Sequence, residues 1–126
     1  MIQSIDHTVL TIRDVAATVK FYTALGMKFR EQPGVRRALH FGRQKINLHV
    51  AGSEFEPKAS LAMPGTGDLC FLIDRPVEEA AKRLAEMGVP VIVGPVKREG
   101  AEGMMWSIYC RDPDGNLVEL SRPIAK

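Results

Sequence analysis

The sequence predicts an α+β protein made of two β-α-β-β-β modules. Three observations predict it. Short strand-like stretches are interleaved with only two helical periodicities. The order of elements repeats once along the chain. The residues that punctuate the two copies stand at comparable places.

The first strand spans Ile5 to Ile12. Asp14 can cap a following helix by accepting from its first free N–H groups, and Val15, Val19, Tyr22 and Leu25 then recur at helical spacing. Gly26 stops that helix in the left-handed position. Met27 to Arg30, a loop through Pro33-Gly34, and Arg37 to Phe41 follow, with Gly42-Arg43-Gln44 as a hairpin turn. Lys45 to Val50 alternates polar and apolar residues, as a strand does. Ala51 to Gly67 carries Gly, Pro and Ser without periodicity and reads as a connector. The modules are therefore expected at 1–52 and 67–126, joined by 53–66 within a single domain.

The second copy opens with a strand from Asp68 to Ile73. Pro76 can begin a helix marked by Val77, Ala80, Ala81, Leu84 and Met87, and Gly88 ends it. A strand is expected at Val89 to Val93, a loop from there to Gly103, and a strand at Trp106 to Cys110. Asp112-Pro113-Asp114-Gly115-Asn116 is a tight-turn signal before the last strand, Leu117 to Ser121. His7 matches Asp68, Gly26 matches Gly88, and His49 matches Glu119, with the growing offset assigned to a longer loop in the second half.

Composition narrows the class. Hydrophobic residues make up 45% and charged residues 25%, and 17 basic and 15 acidic residues are spread along the chain. That is a globular balance, and the absence of a basic stripe argues against a nucleic-acid partner. No apolar run is long enough for a bilayer, and no secretory leader precedes the first strand, so no membrane association and a cytoplasmic location are expected. Cys70 and Cys110 sit among apolar strand residues and read as small buried side chains without a redox role. Trp106 reads as a core residue, and Arg36, Arg37, Lys45 and Lys58 as solvated charges.

Strand parity singles out four polar residues. His7, His49, Asp68 and Glu119 each lie opposite the face best suited to pack on a helix. Singly, each has an ordinary explanation as an exposed histidine, a solvated carboxylate or a turn residue. Their weight comes from occupying comparable places in two repeats. His40 lacks such a counterpart and is not taken as a ligand. Two imidazoles and two carboxylates suit a divalent transition metal, Zn, Ni, Fe or Co, with the oxygen ligands extending the choice to Mn.

Three blocks, Asp6-His7-Thr8-Val9-Leu10, Phe21-Tyr22 before Leu25-Gly26, and Arg111 through Glu119, resemble the vicinal oxygen chelate superfamily of glyoxalase I, fosfomycin-resistance thiol transferases, extradiol dioxygenases and bleomycin-binding proteins. Lys45 to His49, Glu56-Pro57-Lys58-Ala59 and Asp68 to Phe71 look like the bacterial virulence-associated glyoxalase-like proteins and the glyoxalase-domain-containing proteins of animals. The resemblance covers essentially the whole chain. It implies a half-open, barrel-like sheet around a metal site and a homodimer whose site is shared between chains. By position, His7 and Glu119 match ligands, and His49 matches a carboxylate or glutamine position. Asp68 stands where those families usually have histidine. Asp68 then ligates directly, binds through water, or borders the site.

The implied reaction is that of a glyoxalase-type lyase or isomerase, close to lactoylglutathione lyase, with Glu119 as catalytic base. Its substrate is a small molecule with vicinal oxygens, such as a hemithioacetal of glutathione. Two other readings stay open: an extradiol dioxygenase or thiol transferase, and a metal-free, bleomycin-type drug-binding protein.

Overall fold

The computed structural model describes residues 1–33 and 36–125, so Gly34 of the predicted loop lies outside the described residues. The chain divides into two compact units, Met1–Thr66 and Gly67–Lys126. The first carries β1 (His7–Ile12), α1 (Val15–Ala24), β2 (Lys28–Gln32), β3 (Arg36–Phe41) and β4 (Gln44–Val50). The second carries β5 (Asp68–Leu72), α2 (Val77–Glu86), β6 (Val93–Gly100), β7 (Gly103–Arg111) and β8 (Leu117–Pro123). This is the expected α+β class with two β-α-β-β-β modules. Each unit forms its own four-stranded sheet, in the orders β1-β4-β3-β2 and β5-β8-β7-β6, with no closed barrel. In both, the first and last strands pair in parallel and the other pairs are antiparallel.

In the first unit the Asp14 carboxylate accepts from the Ala17 N–H at 3.1 Å, as predicted for a helix cap. Phe21 and Tyr22 are buried and meet edge to face at 4.8 Å. Leu10, Ile12, Leu39, Ile46 and Leu48 are also buried and share one face of the sheet. Each such side chain contributes about 1.5–3 kcal/mol, against about 1 kcal/mol for the cap, so the apolar face holds the unit and the cap fixes where its helix begins.

In the second unit α2 lies on β7 and β8. Val77, Ala80 and Leu84 are buried, as are Ile108, Cys110, Val118 and Leu120. The Pro76 carbonyl accepts from Glu79 and Ala80, and Gly88 ends the helix region at a φ of 74°. The 112–116 turn is bonded internally. Asp112 Oδ1 accepts from the Asp114 and Asn116 N–H groups at 2.9 and 3.0 Å, and Oδ2 from Asn116 Nδ2 at 2.8 Å. Asn116 Oδ1 in turn accepts from the Gly67 N–H at 2.7 Å, tying the turn to the start of β5.

Four expectations need correction. The strand expected at Val89 to Val93 is irregular until Val93, and the expected loop to Gly103 is instead the strand β6. The extra length of the second copy therefore lies in the strands of a long hairpin rather than in a loop. An edge strand paired on one side only needs no apolar alternation, so Lys97, Arg98 and Glu99 disguise it. Its register shifts between Val93 and Val96, where a Cβ on Gly94 would come within 2.5 Å of the Ser107 carbonyl oxygen. Trp106 is 40% exposed rather than core, and Lys97 stands 5.4 Å over its ring. It is paired with Lys97 on the edge strand, toward the hairpin's distal end. Cys70 is exposed, because it faces away from the helix side of β5, whereas Cys110 is buried as expected. Burial and the nearby Asp112 carboxylate push the Cys110 thiol up to about 11.

Candidate functional site

The expected faces hold in both sheets. Register pairs His7 with Lys45, Val9 with Asn47, and Thr11 with His49, so His7, Asn47 and His49 share one face of the first sheet. His7 is exposed near the start of β1, and its Nδ1–H donates to the Asp6 carboxylate at 2.8 Å. That bond holds Asp6 below the usual carboxylate range and leaves the other ring nitrogen for a ligand.

His49 lies four register positions from His7, about 13 Å along the strands. It is buried edge-on against Phe55 at 5.4 Å, and the Arg36 guanidinium stands 5.5 Å from the same ring. Asn47 lies two positions from His7, about 7 Å along the strands. Asn47 is 7% exposed, and its Oδ1 is buried without a hydrogen-bond partner. An orphaned buried carbonyl oxygen costs about 1–3 kcal/mol, so it marks a place where a donor or cation would be stabilising.

In the second unit Asp68 pairs with Leu117 and Cys70 with Glu119. Asp68 and Glu119 thus share a face two register positions apart, about 7 Å. This separation matches that of His7 and Asn47. By register, then, the counterpart of Glu119 is Asn47, and that of His49 is Ser121.

Glu119 is half-buried among polar groups that parity alone did not single out. Ser121 Oγ–H donates to Glu119 Oε2 at 3.2 Å, and Ser121 Oγ lies 2.7 Å from Ser107 Oγ and 3.2 Å from Cys70 Sγ. Burial raises the Cys70 thiol, Ser121 opposes that by hydrogen bonding, and the Glu119 charge adds to the rise. Tyr109 pairs with Glu119 from β7, and Arg98 Nε–H donates to the Tyr109 hydroxyl at 3.0 Å.

Glu119 and Cys70 open onto a cavity of about 610 Å³ whose apolar wall includes Leu72, Met104, Met105 and Pro123. Among the described residues, no three or more His, Cys, Asp and Glu side chains form a group that could hold a metal ion. His7 lies in the first unit, and Asp68 and Glu119 lie in the second.

These features coincide with a match to the family model of the Glyoxalase/Bleomycin resistance protein/Dioxygenase superfamily over residues 4–120, and the chain belongs to that superfamily. Within it, the chain is 53% identical over 120 residues to the glyoxalase domain-containing protein RDO1 of Mycosarcoma maydis, covering 95% of this chain and 68% of that one. It is 47% identical over 123 residues to the virulence protein STM3117 of Salmonella typhimurium, covering 97% and 85%. The crystal structure of STM3117 superposes with a TM-score of 0.94 over 98% of this chain and 99% of that chain, at 46% identity. A lactoylglutathione lyase from Agrobacterium tumefaciens superposes at 0.71, with 26% identity and coverage of 97% and 95%.

Proposed function

We propose that the protein is a metal-dependent lyase or isomerase of glyoxalase type. Its substrate would be a small molecule with vicinal oxygens, such as a hemithioacetal of glutathione. One observation carries the reading: the Glu119 carboxylate, oriented by Ser121, opens onto the cavity of the second unit. Likeness to the Agrobacterium lactoylglutathione lyase supports it.

Glu119 would take the carbon-bound proton of the substrate and return it to the neighbouring carbon. Ser121 holds one carboxylate oxygen and limits its rotation beside the apolar wall of the cavity. The donor set fits a divalent metal in kind, because Asp6 orients His7 as carboxylates orient metal-binding imidazoles and because the Asn47 oxygen lacks a partner. We assign His7, Asp68 and Glu119 to hold Ni, Zn, Mn, Co or Fe. The sequence assigns the fourth place to His49, whereas register favours Asn47. When bound, such a metal supplies Lewis-acid stabilisation to negative charge on the substrate's oxygens.

We further propose a cytoplasmic homodimer with the site shared between chains. On that reading, mixing His7→Ala and Glu119→Ala chains restores activity on subunit exchange, and a mixture that stays inactive counts against sharing. Metal analysis of the purified protein comes first, followed by lactoylglutathione formation from methylglyoxal and glutathione with added Ni, Co, Zn or Mn. Glu119→Gln should lower kcat by about 10²–10⁴-fold. His49→Phe should leave metal uptake unchanged while Asn47→Ala weakens it. Absence of activity with every metal removes the reading. A metal-free binding protein is the second reading, favoured by the apolar wall of the cavity. Purified protein without metal, and without response to added metal, would select it.

A further inference from the structure

The face of the first sheet that carries His7 has a second feature. Register places Lys28 beside His40, His40 beside Lys45, and Lys45 beside His7. One row across all four strands therefore consists of nitrogen bases about 5 Å apart. Arg30 stands two residues along β2 on the same face. Lys28, Arg30, His40 and Lys45 line a cavity of about 560 Å³ together with Arg43 from the hairpin turn. Among the described residues Asp6 is its only acid, and Asp6 is already engaged by His7. No ion pair involving Lys28, Arg30, Arg43 or Lys45 is present among the described residues.

Lys28 and Lys45 flank His40 in the row, and a concave wall focuses the field of such cations. With four cations against the one carboxylate of Asp6, the cavity is net positive, a field that a bound anion would neutralise. Its mixture of ammonium, guanidinium and imidazole donors converges from three strands and a turn, which suits several anionic oxygens held in a small volume.

We propose that the groove between Lys28, Arg30, His40, Arg43 and Lys45 binds a compact polyanion, either a phosphoryl group or a di- or tricarboxylate. The geometry does not depend on the metal reading, and the site can be tested in metal-free protein. Burial holds His40 below the ordinary histidine range, reinforced by the charges of Arg30 and Lys45. Lys28 faces it from the other neighbouring strand. A polyanion seated among these groups would favour the imidazolium and move His40 back up.

The test is a calorimetric titration of the EDTA-treated full chain with pyrophosphate and, separately, with citrate, at low ionic strength. His40 is followed in parallel by proton NMR. Saturable binding of either anion is expected, with an upward shift of the His40 titration. Lys28→Gln with Arg30→Gln should weaken binding at least about tenfold, because two of the cations that face the anion are removed together. Lys82→Gln, which removes a helix cation far from this sheet in sequence, should leave it unchanged. Pyrophosphate preference assigns the site to phosphoryl groups, and citrate preference to carboxylates. Absence of saturation by either anion up to about 10 mM, or equal weakening by Lys82→Gln, overturns the proposal.

Discussion

The two units share a topology and differ in what they present on it. In the first, the face away from the apolar core carries Lys28, His40, Lys45 and His7 in one row. In the second, the corresponding face carries Asp68, Cys70, Glu119, Ser107 and Ser121, with Ser121 joined by short polar contacts to Cys70, Ser107 and the Glu119 carboxylate. The first unit's polar residues form one basic row, whereas those of the second are spread over several register positions around Glu119, which corresponds by register to Asn47. Duplication thus supplies the scaffold, while divergence on the unconstrained face supplies different chemistry. The helix-side face diverges less in character because it must remain apolar in both units to be buried.

Core substitution probes the shared part of this comparison and has the largest expected effect. Leu39 in the first unit and Leu84 in the second are both fully buried. Leu39→Ala and Leu84→Ala should each cost about 2–5 kcal/mol in urea unfolding. A single transition lowered equally by both would show that the units unfold together, and two transitions moved separately would show that they do not.

The turns before the last strands should separate the units next. Asp112 is buried and receives three hydrogen bonds within its own turn, whereas the Gly42 turn depends on a φ of 51° at one glycine. Asp112→Ala should cost about 3 kcal/mol, because it strands several donors. Gly42→Ala should cost about 1 kcal/mol, through the left-handed conformation alone. Equal losses in thermal unfolding would mean that the bonded turn is no more important than the bare one.

The smallest effect concerns the two thiols of the second unit. Cys110 is fully buried and its thiol is raised to about 11, while Cys70 is exposed and raised less. In native protein at pH 8, a thiol reagent should modify Cys70 first and leave Cys110 until unfolding. For Cys110 the folded pKa exceeds the unfolded value of 9.0, so its contribution to stability is present below pH 9.0. That contribution should be lost as pH rises toward about 11. Stability that does not decline over that range in wild type relative to Cys110→Ala would contradict this assignment.

Much of the architecture was legible because its determinants are local. The Asp14 cap, Gly26 and Gly88 after the helices, and the 112–116 turn each follow from a few neighbouring residues, and strand parity is a property of one strand at a time. Parity therefore correctly put His7 and His49 on one face and Asp68 and Glu119 on another. Edge strand β6 escaped because its charged residues give no alternation to read, and Cys70 and Trp106 were misplaced because apolar neighbours in sequence do not decide which side of a sheet is covered.

The sequence by itself determined the two-module α+β plan, the superfamily and the faces on which the polar strand residues lie. Register decided the rest, since it joins residues that no local pattern connects. It put Asn47, not His49, in the position equivalent to Glu119, and it aligned four bases from four strands. Each strand carries its own period of two, but the offset between strands is settled by which apolar rows can be buried together, and that is a property of the assembled sheet.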